Sequence, residues 1–152
     1  MTITVRRATA ADLEGVCAFN SLLALESEGK TLDPALLEAG VRAVLADAGK
    51  GLYFLAEEAT SALGQMGLTY EWSDWRNGWF WWIQSVYVRP EARRRGIFRL
   101  LFASIEQAAR EDPQVIGLRL YVEKGNTIAH ATYEKMGLDW TTYQVMERYP
   151  LG

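Results

Sequence analysis

Residues 79–88 read Trp-Phe-Trp-Trp-Ile-Gln-Ser-Val-Tyr-Val, ten residues without a charge, proline or glycine. As an extended strand they present Trp79, Trp81, Ile83, Ser85 and Tyr87 on one face, with Phe80, Trp82, Gln84, Val86 and Val88 on the other. Successive side chains in a strand point to opposite faces. Both faces here are largely apolar, which calls for cover on both sides and so for a central strand between helical layers. Few chains of 152 residues can satisfy that demand outside a layered α/β architecture.

The rest of the chain supplies the layers. Residues 3–7 form an expected first strand. Thr9 and Asp12 stand in capping-box spacing ahead of a helix running to about Glu28. Asp33-Pro34 starts a second helix with Leu36, Leu37, Val41, Val44 and Leu45 on its apolar face. Strands are expected over 52–57 and 63–72, the latter joined to 79–88 through 73–78, where Asn77-Gly78 marks a hairpin turn. Pro90 stops the long strand. From Gly96 a helix places Ile97, Leu100, Leu101, Ile105 and Ala108 on one stripe and ends near Asp112-Pro113. A strand over 118–123, a short helix over 127–136 and a last strand over 141–148 complete the order β-α-α-β-β-β-α-β-α-β. The expected fold is a single mixed α/β domain over residues 1–152, with a central, mostly antiparallel sheet and about four helices.

A net charge of -3 with interspersed signs excludes the basic excess of a general nucleic-acid binder. The one cysteine, Cys17, allows no intrachain disulfide and fits a reducing compartment. The first fifteen residues hold no apolar run suited to a signal peptide, and no stretch approaches the roughly 20 apolar residues of a membrane span. A cytoplasmic protein is expected.

The chemistry concentrates where the apolar strand turns into the third helix. Arg93, Arg94, Arg95 and Arg99 surround Gly96 there. The first N–H groups of a helix lack intrahelical partners and lie at the positive end of its dipole, so such an end binds phosphate. Gly96 has no Cβ to hold a phosphate off, and the arginines add forked donors.

This segment resembles the coenzyme A-binding motif of the GNAT superfamily of N-acetyltransferases, Q/R-x-x-G-x-G/A after a Val-x-Pro strand end. Arg93 fits the first position and Gly96 the fourth; Phe98 departs from the Gly or Ala of the sixth, and its side chain must turn away from the phosphates. The resemblance implies that Arg93 opens the motif and that the amides of Arg94, Arg95, Gly96, Ile97, Phe98 and Arg99 cradle the pyrophosphate of acetyl-coenzyme A. It also implies that Val86, Tyr87 and Val88 pair with pantetheine as an added strand does. A bulge is expected to splay this strand from its parallel neighbour over 118–122, opening room for the thioester.

A second resemblance lies over 126–138, similar to the family's Asn-x-x-Ala-x-x-x-Tyr-x-x-x-Gly-Phe/Leu segment. Asn126 would cap a helix and contact coenzyme A, and Tyr133 would protonate the departing thiolate. Where the family commonly has a basic glutamate, this chain has Gln84, which cannot take a proton. Glu71, Glu28 and Glu26, or ordered water with main-chain carbonyls, remain as alternatives for the base.

Five tryptophans, Trp72, Trp75, Trp79, Trp81 and Trp82, gather around one hairpin. They serve as core or homodimer interface, or as an aromatic wall for a cationic amine with Glu71 and Asp74 nearby. His130 is read as a surface or structural residue and Cys17 as core. No His/Cys/Asp cluster supports a metal site.

The leading reading is an acetyl-coenzyme A-dependent N-acetyltransferase acting on a small-molecule amine, an amino acid or polyamine for example. A protein N-terminus or lysine is the alternative acceptor. The competing classes are an acyl-coenzyme A-binding module without turnover and an interaction protein that dimerises through its tryptophan hairpin.

Overall fold

The structure, a computed structural model, describes residues 2–152. It divides into two compact units, Met1–Tyr121 and Val122–Gly152. The first holds β1 (Ile3–Arg7), α1 (Leu13–Glu28), α2 (Pro34–Ala46), β2 (Leu52–Glu58), β3 (Ser61–Ser73), β4 (Gly78–Val88), α3 (Ile97–Glu111) and β5 (Val115–Leu120). The second holds α4 (Thr127–Lys135). A five-stranded mixed sheet with four helices is the mixed α/β fold that the patterns called for.

The five strands lie in the order β1-β2-β3-β4-β5. The first four run antiparallel, and β5 pairs parallel to β4 across the α3 crossover. Local signals set the helix limits. Thr9 N–H donates to Asp12 Oδ2 (2.7 Å), and a short 3-10 turn, Ala10–Asp12, leads into α1. Asp33 Oδ1 accepts from the amides of Ala35 and Leu36 (2.9 and 3.2 Å), capping α2. Gly29, at φ 64°, closes α1 in the left-handed conformation.

Val16, Val41 and Leu55 form a core cluster between α1, α2 and β2, with Cys17 packed against it. The two adjacent residues Gly64 and Gln65 of β3 show that α1 and α3 cover opposite faces. A Cβ on Gly64 would stand 3.2 Å from Ile97 Cγ2 of α3, whereas Gln65 reaches Asn20 of α1. In α3 the buried residues are Ile97, Leu101, Phe102, Ile105 and Ala109. The stripe is thus rotated from the expected one, and Leu100 is exposed.

Three expectations are corrected. The fifth strand begins at Val115 and stops at Leu120, three residues before the expected span, because its parallel partner dictates the register from Trp79↔Val115 to Ile83↔Leu120. Residues 141–148 form no strand; residues 138–152 carry neither helix nor strand. The second unit holds no other strand to offer their β-forming pattern a ladder, and without one the pattern alone does not make a strand. The four aromatic residues Trp79, Phe80, Trp81 and Trp82 are half-buried rather than enclosed, whereas Ile83 and Tyr87 further along β4 are buried. The helices cover that later half, and the hairpin extends past them.

Candidate functional site

The site is built on a fault in β4. Between Gly67↔Gln84 and Gln65↔Tyr87, β4 holds one residue more than β3, and Ser85 adopts φ 51°. This is a β-bulge with a non-glycine residue in the left-handed region. Pairing with β5 ends at Ile83↔Leu120, just before it. Beyond the bulge Arg89 N–H donates to Leu63 O (2.9 Å), so Arg89 and, two residues back, Tyr87 turn their main chain toward β3. Val86 and Val88 therefore present theirs to the side from which β5 has departed. Arg93 Nε takes the Val88 carbonyl there (3.0 Å).

A buried polar group holds the bulge, and the sequence reading passed over it. Gln65 is fully buried, and its Nε2 donates to Ser85 O (3.0 Å) and to Asn20 Oδ1 (3.1 Å). Asn20 Nδ2 in turn donates to the Tyr53 hydroxyl (3.2 Å). The available signal was a glutamine in the middle of the apolar run of residues 62–70. A buried amide needs partners, and here one partner is the strained carbonyl.

The turn after β4 is a short 3-10 turn, Pro90–Ala92, followed by Arg94 at φ 66° and Gly96 at φ 77°. No side chain caps α3. A Cβ on Gly96 would meet nothing within 4 Å, so it is backbone conformation, not crowding by the protein, that calls for glycine. The first amides of α3 thus face open space at the positive end of a fifteen-residue helix. The arginines divide into two kinds. Arg93 pairs with Glu26 (3.2 Å) and Arg95 with Glu58 (2.7 Å). Arg94 and Arg99 are exposed and have no ion-pair partner among the described residues. Phe98 lies against Phe102, one turn further along α3, with ring centroids 6.3 Å apart. Its bulk follows the helix, as the departure from the motif requires.

The acids expected near the amine are otherwise engaged. Glu26 accepts from the Tyr87 hydroxyl and from Arg93, which hold its carboxyl below the usual range and make it a weaker base. Burial and the same Glu26 contact push the Tyr87 phenol up, and its ring packs on Phe19 of α1. Glu28 is exposed and pairs with Lys30 (3.5 Å). Glu71 accepts from Trp82 Nε1 (3.0 Å) and Arg119 Nη1 (2.9 Å) through one oxygen. Glu71 stands opposite Phe80, five residues or about 16 Å along β4 from Ser85. Gln84 donates to the Thr69 hydroxyl (3.1 Å). Tyr70, Trp72, Trp79 and Trp81 form a chain of ring contacts on the hairpin, with Trp75 exposed at its tip.

In the second unit, Asn126 Oδ1 caps α4 by accepting from Ala129 N–H (3.1 Å). Gly137, at φ 91°, ends it, with Leu138 N–H returning to Tyr133 O (3.0 Å). Burial pushes the Tyr133 phenol above its ordinary value, which keeps its proton in place at neutral pH. His130 Nε2 donates to Glu123 O (2.8 Å), and its ring meets Trp140 edge-on at 4.8 Å. Burial likewise raises the Cys17 thiol, which disfavours the thiolate. No described helix is long and apolar enough to cross a membrane.

Comparison with known proteins gives a consistent picture. The model of the acetyltransferase (GNAT) family matches residues 19–138. A possible acetyltransferase from Clostridium difficile 630 is 45% identical, with full coverage of both chains and a TM-score of 0.94. A predicted acetyltransferase from Clostridium acetobutylicum, solved with acetyl-CoA, is 18% identical, covering 97% of this chain and 96% of its own, with a TM-score of 0.79. An aminoglycoside acetyltransferase from an uncultured soil metagenomic sample is 14% identical, covering 99% and 100%, with a TM-score of 0.75. At these lower identities the likeness is one of fold. Comparison with curated proteins gives no match.

Proposed function

The chain belongs to the acetyltransferase (GNAT) family, and from that premise we propose that it transfers the acetyl group of acetyl-coenzyme A to a primary amine of a small molecule, by direct attack in a ternary complex. The family match runs from the first unit into the second, which supports treating residues 1–152 as one acetyltransferase domain. The single Cys17 agrees with a cytoplasmic setting.

The observation that carries the reading is the uncapped start of α3 after two left-handed residues, directly beyond a bulge where β4 has left β5. The residues fit the co-substrate. The amides of Ile97, Phe98 and Arg99, with Arg94 and Arg99 side chains, would hold a diphosphate. The main chain of Val86 and the N–H of Val88 are on offer to an extended amide-bearing arm, the Val88 carbonyl being held by Arg93. Acetyl-coenzyme A supplies a thioester carbonyl activated toward amines. The chain's part is to hold that carbonyl near the amine, which gains rate by proximity. Tyr133, a phenol that holds its proton at neutral pH, would donate it to the departing sulfur. An alkyl amine has a pKa near 10.4 and must lose a proton first. With Glu71 and Glu28 paired to cations and Glu26 weakened, we assign that proton to water held by main-chain carbonyls at the bulge.

The ring chain Trp72–Trp79–Tyr70–Trp81 supports a cationic acceptor, since a cation over such a face gains about 0.5–2 kcal/mol. Trp81 lies four residues, or about 13 Å, from Ser85 along β4. The cation it would hold is therefore a second charge on an extended amine and not the reacting nitrogen. The test is release of free coenzyme A thiol with a panel of monoamines, polyamines, amino acids and peptides. Release with a small amine is expected, fastest for extended diamines. Binding of acetyl-coenzyme A without release for any amine would leave a binding module, and release with peptides alone would move the acceptor to a protein.

A further inference from the structure

Three consecutive arginines, Arg93, Arg94 and Arg95, stand in the turn between β4 and α3, and the sequence offers all three alike as ligands for an anion. The structure separates them. Arg93 is tied into the first unit: its Nε donates to Val88 O (3.0 Å) and its Nη2 to Glu26 Oε1 of α1 (3.2 Å). Its guanidinium lies over the Tyr87 ring, 5.7 Å from the centroid, and the Tyr87 hydroxyl donates to the same Glu26. Arg95 Nη2 donates to Glu58 Oε2, on the last residue of β2 (2.7 Å). Between these two anchored side chains stands Arg94, exposed, at φ 66°, with no ion-pair partner among the described residues.

The path of this turn needs an explanation. Ala92 and Ile97 are buried at its two ends, but the four residues between them are exposed, so no core contact sets their course. A residue with a Cβ keeps a left-handed conformation only where its surroundings over-determine it. No side chain caps α3, and the space around Gly96 is open. What remains is the pair of bonds to Glu26 and Glu58, which reach the turn from two different elements, α1 and β2. Two carboxylates bound to this turn also lower its positive potential. An anion site gains nothing from that unless the carboxylates shape it.

We propose that Arg93 and Arg95 are positioning residues and not ligands: tied to Glu26 and Glu58, they set the course of residues 93–96 and so the aim of the first α3 amides and of Arg94. The inference rests on reading the start of α3 as the diphosphate site. It divides the arginine cluster in two. Arg94 and Arg99 face the anion, while Arg93 and Arg95 hold the turn that presents them. The grip of Arg93 on the Val88 carbonyl has a further effect. It withdraws that acceptor from an arm lying along β4, so the arm must stop pairing there and bend toward α3.

The test removes the anchors and leaves every arginine in place. Glu26→Ala and Glu58→Ala each make the turn more positive. Arginines that touch the diphosphate would then bind acetyl-coenzyme A more tightly, whereas arginines that only position the turn would leave it bound more weakly. Calorimetry should show Kd raised about fivefold in each variant, the size of effect a half-exposed ion pair carries. Turnover at saturating acetyl-coenzyme A should stay within about twofold of wild type, because neither carboxylate touches the reacting atoms. Nitrogen-15 relaxation of the free protein is the second measurement. Amide order parameters of Arg94 and Gly96 should fall from about 0.85 toward 0.6 in both variants, with those of β4 unchanged. Unchanged or tighter affinity overturns the proposal, and so do wild-type order parameters. A collapse of kcat at unchanged affinity in Glu26→Ala overturns it too, by making Glu26 the base. Should the wild type bind no acetyl-coenzyme A, the diphosphate reading fails by itself; the order parameters then decide the tethers alone, a fall supporting them and no change refuting them.

Discussion

Replacing Gln65 with methionine removes the one side chain that pins the bulge carbonyl, while keeping side-chain length and burial. Two acceptors lose their donor: Asn20 Oδ1, buried with its residue, and Ser85 O, on a half-buried one. A buried acceptor left unsatisfied costs about 1–3 kcal/mol, and the half-buried carbonyl recovers part of that from water. Gln65 Oε1 has no hydrogen-bond partner among the described residues, and its removal returns a penalty of the same kind. The net loss is therefore about 2 kcal/mol. For a chain of this size that lowers the melting temperature by roughly 4–8 °C. A second effect is local. Ser85 at φ 51° lies in a conformation costing about 1–2 kcal/mol for a residue with a Cβ, and the Gln65 bond is part of what holds it there. Without it the strand relaxes toward β5, and acetyl-coenzyme A affinity should fall about tenfold, the equivalent of about 1.4 kcal/mol. Asn20→Ala is the control: it removes the other Gln65 bond and should destabilise comparably while leaving affinity near wild type. Thermal melts and calorimetry on both variants decide the matter. If Gln65→Met melts and binds as wild type does, or if Asn20→Ala loses affinity equally, the Gln65 amide does not hold the bulge.

Other outcomes follow from the same geometry. Gly96→Glu should abolish acetyl-coenzyme A binding in calorimetry, and Gly96→Ala should cost about 1–2 kcal/mol in denaturant melts through its φ of 77°; retained affinity in the Glu variant would remove α3 from the diphosphate site. Tyr133→Phe should lower kcat on the order of 100-fold with cofactor affinity unchanged, and an undiminished kcat would take the acid role away from it. The Asp12 carboxyl is held below its ordinary value first by its hydrogen bond from Arg6, so its contribution is present above about pH 4 and is lost as pH falls through the depressed value. Asp12→Asn should thus cost about 1 kcal/mol at pH 7, allowing for the solvent-screened Arg6, and progressively less as the pH falls through the depressed value; a loss that does not shrink on acidification would contradict the linkage.

Much of this protein is written locally. The caps at Thr9, Asp33 and Asn126, the Asn77-Gly78 turn, the helical period of α3 (though not which face it buries) and the glycine before it are all read within a few residues, because capping and periodicity are short-range effects. The strand–turn–helix unit at 86–101 is of this kind, and so the diphosphate reading was available from order alone. The left-handed Ser85, its lock by Gln65, the end of β5 at Leu120 and the pairing of Glu71 with Arg119 were not. Each joins residues between 20 and 48 positions apart, or is set by a register between strands, and no local rule reports which carbonyl a buried amide will meet. Residues 141–149 mark the boundary between the two. Their composition determines that they are fit to be a strand, but a strand exists only against a partner, and partners are chosen by tertiary structure.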